Sequence, residues 1–348
     1  MAVLGLLFIL ACIIGLVRPP PTDQLVTLGD AVASFLITPD STTEGACMLA
    51  KDDVSSGRWA AGEVHSRYWF PEPHRWGQTP SLFRWIVYCV SWLLPAGMAA
   101  AMLSMAVIDG KGDTAAAFSS LARRPNLTYD LPSGVPRLGL SVVIALPQLL
   151  LILLYFSTNS LLSVLYLSHE FSQFAGEPSP LRLSTCRPIG SQMTSLYLTL
   201  PRPVSWILYI LFVAMGFMLN QAFNIVSVDG SKSDSALGVN PLPLVIILGL
   251  LVLILILLLG LSLRKGSFVT TEDGRTIGHP LNLKGGSCSA IISARCHRSP
   301  REGEDIAAYP LVWGAVTEDS APASETKIGH ATFSSRPVDP LKVGKAYA

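Results

Sequence analysis

Residues Leu242–Leu263 read LPLVIILGLLVLILILLLGLSL, and Arg264 and Lys265 follow directly. These 22 residues contain no charge and no amide. A hydrocarbon layer about 30 Å thick needs roughly 20 helical residues at 1.5 Å each, so the stretch is long enough to cross one. Being apolar on every face, it has no side to turn to water and is read as a lipid-facing anchor.

Four more uncharged runs precede it: Met1–Val17, Trp85–Ile108, Leu138–Leu167 and Val204–Val228, of 17, 24, 30 and 25 residues. In hydrocarbon every backbone N–H and C=O must bond within its own segment, so these runs are expected to be helices. The first is short. It is read as an uncleaved span; a signal peptide and a Met1 internal to a longer gene are the competing readings, because no basic residue precedes the apolar run and Arg18-Pro19-Pro20-Pro21 follows it. The expected fold is an all-α membrane protein: a polytopic helical bundle with about five transmembrane helices. A cytosolic loop occupies 18–84, and a partly disordered cytosolic tail of low order occupies 264–348. Composition agrees, since only 14% of the 348 residues are charged and 50% are hydrophobic, against about 25% charged in a soluble domain. The mean hydropathy is +0.46.

Lys and Arg near the helix ends set the orientation. The segments 18–84, 168–203 and 264–348 carry 6, 3 and 11 basic residues, whereas 109–137 and 229–241 carry 4 and 1. The N-terminus is therefore expected outside and the C-terminus in the cytosol. Asn126-Leu127-Thr128, a possible N-glycosylation site at Asn126, falls in a loop assigned to the outside. The expected partners are the lipid bilayer and other membrane proteins. With a net charge of +1 there is no electrostatic case for nucleic acid.

Inside the spans, Ala96, Ala100 and Ser104 recur every four residues in the second run, with Gly97 beside them. Small residues on one ridge let another backbone approach, so this is the expected helix-packing face. Pro147 is the expected kink of the third run. Gly216, Asn220 and Asn224 recur every four residues in the fourth run, with Gln221 adjacent. Amides in hydrocarbon are costly unless bonded, so the stripe is expected to face other helices as interhelical glue, or water as a pathway. None of the five runs contains an ionisable Asp, Glu, Lys, Arg or His, which argues against ion-coupled transport. Leu25–Thr38 is expected at the surface or in the interface. Trp59, Tyr68, Trp69, Phe70, Trp76, Phe83 and Trp85 read as an interfacial aromatic belt.

Recognised catalytic motifs are absent from the sequence: no Gly-x-Ser-x-Gly elbow, no phosphate loop, no His-Glu-x-x-His and no dinucleotide fingerprint. His169-Glu170 is the one acid/base dyad at a span end. Cys288, Cys296 and His297, with His279 or His330, lack the spacing of a zinc knuckle, so no metal, cofactor or catalytic residue is assigned.

Several blocks resemble an uncharacterised family of fungal multi-pass membrane proteins defined by a domain of unknown function. They begin at Leu28-Gly29-Asp30-Ala31-Val32-Ala33-Ser34-Phe35. They resume at Glu170-Phe171, Phe174-Ala175, Leu181-Arg182-Leu183-Ser184, Gly190-Ser191-Gln192, Leu200-Pro201 and Gln221. In the tail they run from Gly286 to His297, then through Leu311-Val312-Trp313-Gly314, Gly329-His330, Phe333 and Tyr347-Ala348. The chain departs from the family pattern at Phe171, at Gln192-Met193-Thr194 and at Ala331, where the family has a cysteine. The last departure weakens a zinc site further. The family also has earlier spans, which implies a longer N-terminus. The resemblance implies architecture and offers no catalytic residues.

The function expected is that of a non-enzymatic membrane scaffold, sensor or assembly subunit. The alternatives are a channel or transporter lined by Asn220, Gln221 and Asn224, and a membrane-embedded enzyme using His169 and Glu170. Any small-molecule ligand is unspecified by the sequence.

Overall fold

The computed structural model describes residues 10, 13–14, 25–60, 62, 66–70, 74–109, 127–130, 137–185, 187–195, 199–227, 235–266, 269–270, 276–277, 281, 283, 288–299, 302–316 and 328–348. Most of the expected span 1–17, and Asn126, lie outside the described residues.

Among the described residues, seven α-helices and eleven short strands follow in chain order. They are α1 (Leu28–Ile37), α2 (Lys51–Ser55), β1 (Arg67–Tyr68), α3 (Leu82–Asp109), β2 (Leu127–Asp130), α4 (Arg137–Gln173), β3 (Arg182–Leu183) and β4 (Met193–Thr194). Then come α5 (Arg202–Ala222), β5 (Phe223–Ser227), β6 (Ser235–Val239), α6 (Pro241–Leu263), β7 (Val269–Thr270), β8 (Thr276–Ile277), α7 (Ser289–Ala294), β9 (Val312–Val316), β10 (His330–Ser334) and β11 (Ala346–Tyr347). The protein is mostly helical. Four stretches, 82–108, 144–173, 202–222 and 241–263, are long and apolar enough to cross a membrane.

Those four helices enclose one core, in which Tyr88 and Ala99 of α3, Leu154 and Leu161 of α4, Met215 of α5 and Leu251 of α6 are buried. Polar pins cross it: Trp92 Nε1 donates to the Leu251 carbonyl at 3.0 Å, and the Ser91 and Ser157 hydroxyls meet at 2.5 Å. Local sequence explains the helix starts. Pro203 and Pro241 sit in the first turns of α5 and α6, where a missing N–H costs nothing and φ is preset. Pro95 and Pro147 lie inside α3 and α4.

At one end of the bundle is a three-stranded antiparallel sheet in the order β2-β6-β5. Beyond the C-terminal end of α4 is a second core, built from distant parts of the chain. It buries Leu28, Val32 and Leu36 of α1, Cys47 and Leu49, Phe171 of α4 and Phe174 just beyond it, Leu181, Ile291 and Ile292 of α7, Trp313 of β9, Phe333 of β10 and Tyr347 of β11. Order is expected of the tail only where it docks under the bundle, and the described residues of 264–348 that dock there share a core with α1 and the end of α4. Counted alone, 264–348 is too poor in apolar residues for a core, but the apolar face of α1 and the α4 end supply what it lacks. Leu25–Thr38 is correspondingly not an interfacial strip, because α1 buries Leu28, Val32 and Leu36 at helical spacing in this core. The aromatic belt divides likewise. Trp69 and Trp76 are buried, in the second core and the bundle respectively, while Tyr68, Phe70 and Phe83 are exposed.

Polar tethers fix the second core. Thr27 and Asp30 form a capping box on α1, and Asp30 also accepts from Ser184 N at 2.8 Å while Thr27 donates to the Arg182 carbonyl at 2.7 Å. The cap thus ties α1 to the segment around β3. Buried Asp53 receives Arg58 at 2.7 Å and Arg67 at 3.2 Å, joining α2 to β1. The α4–α5 connection docks on the tail through Ser191 N to the Ala308 carbonyl, 2.8 Å, and Gln192 Nε2 to the Ala307 carbonyl, 2.9 Å. Gly190, at φ 62°, allows that approach, since a Cβ there would overlap the Ala308 carbonyl oxygen. Gly190→Ala therefore combines left-handed strain with overpacking and is expected to cost about 2–5 kcal/mol. A fall in the thermal unfolding midpoint checks this.

Candidate functional site

The expected amide stripe does not form one helical face. Helix α5 stops at Ala222, not Val228, because Phe223-Asn224-Ile225-Val226-Ser227 pairs as β5 with β6. Aromatic and β-branched residues favour this pleated pairing over another helical turn. Asn224 is therefore on a strand. Asn220 is exposed, and Gly216 and Gln221 are half-buried. A Cβ on Gly216 would lie 3.5 Å from Gln148 Nε2, an ordinary contact distance, so the glycine faces α4 without the packing demanding it. The amide that closes this corner is one the sequence reading placed in a loop. Asn240 is fully buried and donates from Nδ2 to the Gln221 carbonyl at 2.7 Å, while its own N–H donates to the Ala222 carbonyl at 2.9 Å. Asn224 Nδ2 reaches the same Gln221 carbonyl at 3.4 Å. The legible signal was Asn240-Pro241, a helix N-cap followed by a first-turn proline.

The cavity between the four helices is small, about 10 Å³, and is lined by Pro95, Met98, Ala99, Pro147, Leu151, Met215, Leu219, Phe223, Leu244, Ile247 and Leu251. With no polar lining group it holds no partners for a water, and none of the three expected pathway amides borders it.

The packing ridge also shifts. Ala96 is buried, but Gly97, Ala100 and Ser104 are exposed, and Ser104 Oγ donates to Ala101 of its own helix at 2.8 Å. The buried face of α3 runs through Tyr88, Pro95, Ala99 and Ala106, spaced by seven, four and seven. The helix carries small residues on two faces, and spacing alone does not choose between them.

His169 and Glu170 diverge. The Glu170 carboxylate pairs with Arg182 at 2.8 Å, while the His169 ring lies against Trp76 with centroids 4.7 Å apart. Adjacent residues on a helix point about 100° apart, and here each finds a different neighbour. Among the described residues no group of three or more His, Cys, Asp or Glu gathers as a metal site. His297 Nε2 is 2.9 Å from Thr43 Oγ1, and both nitrogens of His330 meet backbone oxygens, of Ala348 at 2.8 Å and of His297 at 3.1 Å. Burial holds the His297 pKa below its usual value.

The least expected polar group is Arg295. Only 6% exposed, it sits in the second core with its guanidinium 5.4 Å from the Phe171 ring, and its Nε and Nη1 have no hydrogen-bond partner. Burial pulls its pKa down to about 10. The same burial pushes the Cys47 thiol up to about 11 and raises that of Cys296, so neither thiol supplies a counter-charge at neutral pH. The sequence offered no sign of this, because Arg295 stands among basic and polar residues that read as a solvated tail.

Fold and geometry together define a mostly helical protein with four membrane-competent helices and a second core at one end, without a recognisable catalytic cluster among the described residues. The chain belongs to the family of the domain of unknown function DUF8419, which matches residues 60–338. Neither a curated protein nor a solved structure matches it.

Proposed function

We propose that the chain is a multi-pass integral membrane protein in which α3–α6 cross the bilayer. In this reading the second core forms a non-enzymatic cytosolic domain that serves as a scaffold or assembly subunit. The outward faces of the four helices carry the reading. Val90, Phe156, Ile210, Val213 and Ile256 are between 51% and 67% exposed, and only 28% of the most apolar window of α6 is buried. A water-soluble monomer does not tolerate an apolar surface of that extent, whereas hydrocarbon is its natural solvent. Exposed Arg75, Arg84, Arg264 and Lys265 at the end nearest the second core favour a cytosolic position for that end. The resemblance to fungal multi-pass membrane proteins supports the same architecture, with 1–17 as a further span and the N-terminus outside.

Alkaline carbonate extraction combined with glycosylation mapping tests the proposal. The protein is expected to stay with the membrane pellet. A glycosidase-sensitive mass shift at Asn126 should vanish in Asn126→Gln, and an acceptor sequon engineered into the tail should stay unmodified. Release into the carbonate supernatant overturns the spanning reading. Modification of the tail inverts the topology.

A further inference from the structure

The bundle end nearest the second core carries an organised cationic rim. Residues 74–79 cross the end of α6 as a strap. Trp76 N donates to the Arg264 carbonyl at 3.0 Å, Gly266 N donates to the His74 carbonyl at 2.8 Å, and Arg75 and Lys265 face each other as an antiparallel bridge. The strap packs so closely that a Cβ on Gly77 would lie 3.0 Å from both Cβ and the carbonyl oxygen of Ser262. Trp85 Nε1 of α3 donates to the Gly77 carbonyl at 3.1 Å, which ties the start of α3 to the same place. Trp76 is buried beneath, with the Arg264 guanidinium 4.9 Å from its ring centroid.

Arg75, Arg84, Arg264 and Lys265 are all exposed here. Among the described residues the ion pairs are those of Arg58 and Arg67 with Asp53 and of Arg182 with Glu170, so none of the four rim cations has a carboxylate partner. Arg264, at the C-cap of α6, is favoured by the helix dipole, but Arg84, in the first turn of α3, is opposed by it. Arg84 bonds only to Ser160, its Nη1 lying 3.0 Å from Oγ and 3.4 Å from the carbonyl. Four cations without a carboxylate partner, Arg75 on the strap, Arg84 at the start of α3 and Arg264 and Lys265 at the end of α6, surround a buried tryptophan and are arranged for an external anion.

We propose that this rim binds the headgroup of an anionic phospholipid through its summed positive charge, with Arg75 and Lys265 facing each other across the bridge and Arg264 and Arg84 beside them. The inference rests on the reading that α3–α6 span a bilayer, because only then does the rim stand at headgroup depth. Juxtamembrane Lys and Arg attract anionic lipid through the surface field in just this setting.

The test uses the full chain in nanodiscs of phosphatidylcholine with or without phosphatidylserine, released for native mass spectrometry. The wild type is expected to retain phosphatidylserine in preference to phosphatidylcholine. The triple variant Arg75→Gln, Arg264→Gln, Lys265→Gln is expected to lose that preference about tenfold or more. The charge-keeping pair Arg75→Lys, Arg264→Lys should retain it, as should Arg187→Gln with Lys342→Gln, which removes exposed cations elsewhere. Unchanged helical circular dichroism shows that the triple variant has folded, and should it not fold, the preference of the wild type and of the Lys pair decides. Equal retention of both lipids by the wild type overturns the inference, as does undiminished preference in a folded triple variant. Displacement of the lipid by millimolar inorganic phosphate would assign the rim to a soluble anion and overturn the lipid assignment. A chain that does not enter the nanodisc refutes the spanning reading, whereas one that enters without discriminating headgroups refutes this inference alone.

Discussion

Phe171→Ala is expected to cost about 3–5 kcal/mol and to release the tail from the bundle. Phe171 is fully buried at the end of α4, its ring centroid 5.9 Å from that of Phe333 in β10. Phe174, one turn on, meets the same Phe333 edge-on at 5.4 Å. Truncation removes the aromatic that joins the long helix to Arg295, at the C-cap of α7, and to β10, and leaves a cavity between them. Limited proteolysis in nanodiscs should cut the 288–348 region faster, while the helical signal of the bundle persists. Phe156→Ala, on the outward face at 61% exposure, should leave that cleavage rate unchanged. Equal cleavage of the Phe171 variant and the wild type would mean that the helix end does not hold the domain.

Arg295→Met is expected to stabilise the protein by about 1–4 kcal/mol, the range found when buried charged groups are replaced by apolar ones of similar volume. Burial holds its folded-state pKa at about 10, below the ordinary arginine value. Above about pH 10 the unfolded chain therefore binds more protons than the folded one, and stability should rise as pH climbs from there towards the ordinary arginine range. At every pH below about 10 the charge opposes folding in full. The methionine variant should have a higher unfolding midpoint at neutral pH and should lack the alkaline rise. A lower midpoint would show that the guanidinium is paired in solution.

The four long helices were legible because a helix able to cross hydrocarbon needs an uncharged run, and such runs are visible one residue at a time. Their ends were less so. Asn224 kept helical spacing with Asn220 but belongs to a strand, because β5 finds its partner in β6, a segment that no window on α5 contains. Gly97, Ala100 and Ser104 satisfied a packing rule, yet the helices met on the neighbouring face of Ala96 and Ala99. The second core was hidden for another reason. Leu28, Phe171, Ile291, Trp313 and Phe333 come from five separate segments, none of them apolar enough to announce a core by itself. Arg295 was hidden for the same reason, since its burial depends on that assembly.

Helix α4 runs 37 residues without interruption, about 55 Å at 1.5 Å per residue, and its side chains are buried in the bundle along one part and in the second core at the other. No loop separates the two parts, so no joint exists there to absorb a change of angle. If α4 spans a bilayer as proposed, a tilt imposed by a thinner or thicker membrane would carry Phe171 through the same angle and strain the packing around its ring.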